Sequence, residues 1–131
     1  MTVEVGLTGE VVRRVEPSML ASAIGSGSID VLSTPSLVAL LETAACEAIA
    51  SRLPPDQTTV GVRLDVRHLA ATPPGVDVRA HAELIEVDGR RLVFRVEAFD
   101  PQDKIGEGTH ERALVDPRRL LARVNAKRPS A

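Results

Sequence analysis

Apolar and polar residues alternate with a period of two along most of this chain, and one segment breaks the rule. Over residues 3–15, Val3, Val5, Leu7 and Val11 stand against Glu4, Thr8, Glu10 and Arg13, which predicts a first strand interrupted by Gly6 and Gly9. Residues 16–33 lose the pattern and are rich in Ser and Gly around Gly25-Ser26-Gly27-Ser28. A loop of that length inside a small domain is typically a lid or a binding loop. Then Leu37, Val38, Leu40, Leu41, Ala44, Ala45, Ala48 and Ile49 predict a helix apolar nearly all round, hence buried. Thr34-Pro35 supplies an N-cap residue followed by proline at the first helical position. Leu53-Pro54-Pro55 ends the run.

From Gln57 to Asp116 the alternation returns. Val60, Val62, Leu64 and Val66 predict one strand face. Val76, Val78, Ala80, Ala82 and Leu84 predict another, and Leu92, Phe94, Val96 and Ala98 a third. Thr72-Pro73-Pro74-Gly75, Asp88-Gly89 and Asp100–Asp103 are the turns between them, and Lys104–Val115 is the last strand. Asp116-Pro117 opens a short basic helix or tail, Arg118–Arg128. One strand, a loop, one buried helix and four strands joined by tight turns make an antiparallel meander. The only partner for such a helix is a curved sheet, so the expected fold is α+β: a hot-dog arrangement, an antiparallel sheet wrapped around one buried central helix. Five strands leave open edges, which favours a homodimer.

Composition narrows the function. The 131 residues fit a single domain, taken as 1–131 with 118–131 as its C-terminal helix or tail. The net charge of −2 argues against nucleic acid as a partner, and with Phe94 and Phe99 as the only aromatics there is no platform for stacked bases. One cysteine, Cys46, excludes an internal disulfide or a thiolate metal cluster. The N-terminus does not read as a signal peptide, and Leu37–Ala50, broken by Glu42 and Glu47, is too short to span a bilayer. The expectation is a cytoplasmic protein without membrane or metal.

Among polar residues, Glu42 stands out. Its helical neighbours are Val38, Ala39, Ala45 and Cys46, and desolvation there would raise a carboxyl toward the range of a general base; the plainer alternative is a wet stripe of the helix. His68 continues the apolar register of its strand and lies at its end, so it faces the helix at the rim of the core. It is either a satisfied core histidine or the acid/base partner of Glu42. Thr34 is expected to cap the helix, and it stands about 12 Å along the axis from Glu42. The two would bracket a ligand or meet across a dimer interface. His110 and Arg112 share a strand face with Gly106, Gly108 and Leu114, where they either line a ligand or form an outward polar face. Gly61 is a bend, or a place where a carbonyl oxygen meets a bare N–H. Cys46 reads as core packing. No Gly-rich phosphate loop, metal-ligand spacing or nucleophile elbow is present.

Thr34, Glu42 and His68, the last within Val66-Arg67-His68-Leu69-Ala70-Ala71-Thr72-Pro73-Pro74-Gly75, resemble the fluoroacetyl-CoA thioesterase-like hot-dog family. Ile105-Gly106-Glu107-Gly108-Thr109-His110-Glu111-Arg112-Ala113 and Gly89-Arg90-Arg91-Leu92 are similar to the same family. The resemblance covers roughly residues 30–128. It implies a homodimeric thioesterase without a cofactor, the substrate being an acyl thioester of coenzyme A or of an acyl carrier, with Thr34, Glu42 and His68 as the catalytic constellation. Gly61 would border the acyl carbonyl, and Arg112 would lie near the acyl group. Glu42 would attack the thioester or activate water, and His68 would serve proton transfer. Members selective for the fluorinated substrate carry phenylalanines in the loop before the catalytic threonine; Ala21–Ser33 has none. Two other readings stand beside hydrolysis: amine addition to an enoyl thioester, and a non-catalytic acyl-binding dimer.

Overall fold

The computed structural model describes residues 2–130; Met1 and Ala131 lie outside it. Strands β1 (Thr8–Arg14), β2 (Thr58–His68), β3 (Asp77–Asp88), β4 (Arg91–Phe99) and β5 (Lys104–Val115) form one antiparallel sheet in the order β1-β3-β4-β5-β2. Helix α1 (Ala21–Ile24) lies in the loop after β1, α2 (Thr34–Ile49) is the long central helix, and α3 (Pro117–Asn125) follows β5. This is the expected hot-dog arrangement, but not a simple meander: β2 pairs with β5 and not with β3, so the segment Thr72–Gly75 is a crossover rather than a hairpin turn. No helix among the described residues is long and apolar enough to cross a membrane.

Helix α2 lies across β1 and β3 and touches all five strands. Its Leu37, Leu41, Ala44, Ala45 and Ile49 pack on Ala80, Ala82, Leu84, Leu92, Phe94 and Val96, all buried. Each large side chain buried in this way contributes about 1.5–3 kcal/mol. The small residues let helix and sheet come close: a Cβ on Gly9 of β1 would collide with the backbone of Ala44 and Ala48.

Three further expectations are corrected. First, α2 is not covered on every side. Val38 and Cys46 are only half-buried and Ala39 is exposed. The reason is topological: β2 is a free edge, so nothing lies beyond the helix face above it. Second, the cap of α2 is Ser33, whose side chain accepts the Ser36 N–H at 3.1 Å, and Thr34 is the first helical residue. Third, β2 does not keep one register. Leu64, Val66 and His68 pair with His110, Gly108 and Gly106, but Gly61 pairs with Arg112 and Val60 with Ala113, the register shifting between Gly61 and Arg63. The bulge makes Val62 the extra residue and turns Val60 to the outer face.

The loop 16–33 is irregular yet tied down. Its Leu20 and Leu32 form an isolated bridge, the Leu32 N–H donates to the Thr72 carbonyl at 2.8 Å, and the Ser33 N–H to the Met19 carbonyl at 2.9 Å. Thr72 is fully buried, and its hydroxyl donates to Asp100 in the β4–β5 turn at 2.9 Å. Burial alone would raise the Asp100 carboxyl, but the N–H groups of Gln102 and Asp103 and the Thr72 hydroxyl hold it below the ordinary value.

Candidate active site

Two polar clusters lie along α2, at opposite ends of the inner face of β2. The first joins the start of the helix to the end of the strand: Thr34 Oγ1 and His68 Nδ1 share a hydrogen bond of 2.8 Å. Because Ser33 carries the cap, the Thr34 hydroxyl is free for this contact. A cavity of about 610 Å³ opens beside it, lined by Thr34, His68, Ala71 and the loop residues Ser26–Ile29. No phenylalanine is among its lining residues. The other ring nitrogen of His68, Nε2, is buried without a hydrogen-bonding partner among the described residues. Burial lowers the His68 pKa below its ordinary 6.5, with the Ala70 backbone acting in the opposite sense.

The second cluster surrounds Glu42. Its Oε2 accepts a hydrogen bond of 3.4 Å from Arg112 Nη1 and lies 4.0 Å from His110 Nε2. Arg112, only 7% exposed, also donates from Nε to the Thr59 hydroxyl (2.9 Å), from Nη2 to the Thr59 carbonyl (3.2 Å) and from Nη1 to His110 Nε2 (3.1 Å). His110 Nδ1 donates to the Arg63 carbonyl at 2.9 Å. A carbonyl only accepts and a guanidinium only donates, so the network assigns the His110 proton to Nδ1 and leaves Nε2 as acceptor. Burial lowers the His110 pKa; the Arg63 carbonyl opposes this, Arg112 reinforces it, and Glu42 opposes it.

Gly61 belongs to this cluster because of the bulge. A Cβ there would stand 2.7 Å from Glu42 Oε2 and 3.4 Å from the His110 ring. His110 and Arg112 thus face the helix, on the inner side of β5, and not outward. The Glu42 side chain is 37% exposed, so in a single chain it is not the dry carboxylate that its neighbours in sequence suggested. Nor does it meet His68: the partner of His68 is Thr34, and no ion pair joins His68 to Glu42 within one chain.

Sequence reasoning missed Thr59 and the Arg63 carbonyl. Both act through backbone position beside a bulge, which no spacing of side-chain types displays. The Ser33 cap was missed as well, because Thr34-Pro35 fits the same role.

The model of the family described as "Fluoroacetyl-CoA-specific thioesterase" matches residues 15–118. A fluoroacetyl-CoA thioesterase from Streptantibioticus cattleyicolor is 45% identical over 101 residues, 77% of this chain and 73% of that protein. The solved structure of a threonine-to-serine mutant of a fluoroacetyl-CoA thioesterase in complex with acetyl-CoA superposes with a TM-score of 0.91 at 36% identity, covering 97% of this chain and 100% of the other. A hot-dog-like protein from Thermanaerovibrio acidaminovorans gives a TM-score of 0.86 at 28% identity, covering 97% and 94% of the two chains. The fold, the matched segment and the identity agree, and the chain belongs to the fluoroacetyl-CoA-specific thioesterase family.

Proposed function

We propose that this chain hydrolyses acyl-CoA thioesters with Thr34, Glu42 and His68, and that two copies of it complete the site. The observation that carries the reading is the His68 ring: one nitrogen held by Thr34, the other buried, unpartnered and next to a cavity of about 610 Å³. An unsatisfied buried nitrogen is costly unless it has a task. Proton transfer to a leaving thiolate is such a task; burial, which holds the His68 pKa below its ordinary value, keeps the resting ring neutral and ready to accept a proton before passing it on.

Hydrolysis consumes one water, breaks the C–S bond and yields a carboxylic acid and the free thiol. Either Glu42 attacks the carbonyl itself, expelling the thiolate and forming a mixed anhydride that water then cleaves, or it takes a proton from the water that attacks the carbonyl. Arg112 fixes its carboxylate, and the bare Gly61 leaves room for the acyl carbonyl beside it. Repeated turnover in ¹⁸O-water separates the two routes: label in the Glu42 peptide marks direct attack.

Two observations support a homodimer. The free edge strand β2 leaves Val62 57% and Leu64 37% exposed. Beside it, α2 leaves Val38, Ala39, Glu42 and Cys46 uncovered. A second copy laid along β2 would extend the sheet, cover that stripe and remove water from Glu42. The solved relative with acetyl-CoA bound makes a coenzyme A thioester the substrate class to test first.

The test is release of free thiol from a panel of acyl-CoAs that includes acetyl and fluoroacetyl forms, comparing wild type with Glu42→Gln and His68→Gln. The expected result is turnover in wild type and a loss on the order of a hundredfold or more in either variant. No thiol release from any acyl-CoA, or full activity in Glu42→Gln, overturns the reading.

A further inference from the structure

His110 is 1% exposed, and every polar contact of its ring is made inside the protein. Nδ1–H donates to the carbonyl of Arg63, immediately after the bulge, and Nε2 accepts from Arg112 Nη1. The ring face lies 6.2 Å from Phe94, centroid to centroid, and its Cε1 borders the space above Gly61. The titratable or charged groups facing it are Arg112 from its own strand and Glu42 from α2. β4 offers it Phe94, and β2 offers the Arg63 carbonyl, Leu64 and Gly61.

We propose that His110 is a positioning residue: as a neutral imidazole with its proton on Nδ1, it ties the bulged backbone of β2 to the Arg112 guanidinium and so holds the Glu42 carboxylate in place. The ring does not touch substrate; it acts through Arg112. Thr59 anchors two other nitrogens of that guanidinium, and His110 fixes the third, the one that also reaches Glu42. Protonation would convert Nε2 from acceptor to donor. It would then oppose the Arg112 N–H groups and point a second donor at Glu42 Oε2, 4.0 Å away. The carboxylate would be pulled off Arg112, so the site works only with this ring neutral.

The inference rests on Glu42 serving hydrolysis, and its test includes a measurement that needs no turnover. ¹⁵N NMR of histidine-labelled wild-type protein at neutral pH is expected to show His110 neutral with the proton on Nδ1; an Nε2–H or doubly protonated ring overturns the proposal even if the enzyme is active. In kinetics, His110→Leu, which accepts nothing from Arg112, should lower kcat at least tenfold with a smaller change in KM. His110→Gln, which restores a non-titrating acceptor, should recover most of kcat and shift or flatten the acid limb of the pH profile. A glutamine variant no better than leucine, or an acid limb identical to wild type, overturns it. Should the leucine variant fail to fold, the tautomer and the acid limb of the glutamine variant decide alone. Absence of thioesterase activity in the wild type would defeat the functional reading and leave the tautomer result standing.

Discussion

The Thr34 hydroxyl stands 2.8 Å from Nδ1 of His68, although Thr34 sits where a helix cap is expected; the neighbouring Ser33 has taken the capping role. Two adjacent hydroxyls have separate tasks, and separate consequences when removed.

Ser33→Ala should cost about 1 kcal/mol of stability, the typical value of a lost N-cap. Thr34→Ala should change stability by less than about 0.5 kcal/mol, as surface substitutions usually do, while lowering kcat about tenfold to a hundredfold. Thr34→Ser should keep most of the activity. Chemical denaturation and thiol-release kinetics on the three variants check the division; equal stability losses at 33 and 34 would contradict it.

Gly61→Ala places a methyl group against the Glu42 carboxylate, 2.7 Å from Oε2. The colliding atom is the end of a flexible side chain, so the carboxylate swings away and the fold survives. We expect near wild-type melting and a fall in kcat comparable to that of Glu42→Gln. A fully active Gly61→Ala enzyme would show that the seat of Glu42 is not needed.

His68 and His110 both have folded-state pKa values below the ordinary 6.5, chiefly through burial. The unfolded chain therefore takes up these protons first. Their stabilising contribution is whole above pH 6.5 and is lost as pH falls through that value toward the lower folded-state pKa. Melting temperature should drop on acidification in this window, well before carboxylates titrate. His110→Gln and His68→Gln should each remove part of the slope; melts at closely spaced pH values give the comparison.

Leu64→Lys puts a charge on the inner side of the free edge strand. The residue is already 37% exposed in one chain, so the subunit should fold. Sedimentation should show wild type as a dimer and the variant shifted to monomer, with reduced turnover because Glu42 stays wet. A monomeric, fully active wild-type protein would remove the second copy from the site.

Thr72→Val keeps the shape of a fully buried side chain and deletes its bond to Asp100. The loss should be about 1–3 kcal/mol, since an acceptor is left underused beside a buried methyl. Because the Thr72 carbonyl also holds Leu32, two residues before Thr34, limited proteolysis should cut the 16–33 loop faster in the variant.

How far the chain could be read without coordinates follows from what each residue signals. The long helix, the turns and the shared face of Gly106, Gly108, His110 and Arg112 on β5 were legible, because periodicity and turn residues act locally; which way that face points was not. Glu42 was legible as a misfit on an apolar helix. Its companions were not. Val60 and Val62 alternate as a plain strand would, and the pairing that displaces Val62 is decided across the sheet, by the fit of Gly61 to Arg112. The open stripe of α2 was hidden for a related reason: an apolar helix surface looks the same whether it meets its own sheet or awaits another chain.

The bulge at Val62 has a design consequence. Paired without it, the strand would set a valine opposite Arg112, and an isopropyl group would occupy the vacancy over which Glu42 now hangs. Displacing a single residue exchanges that obstruction for a hydrogen atom. Anyone transplanting this reactive centre into another scaffold would therefore have to carry the irregular pairing along with the side chains.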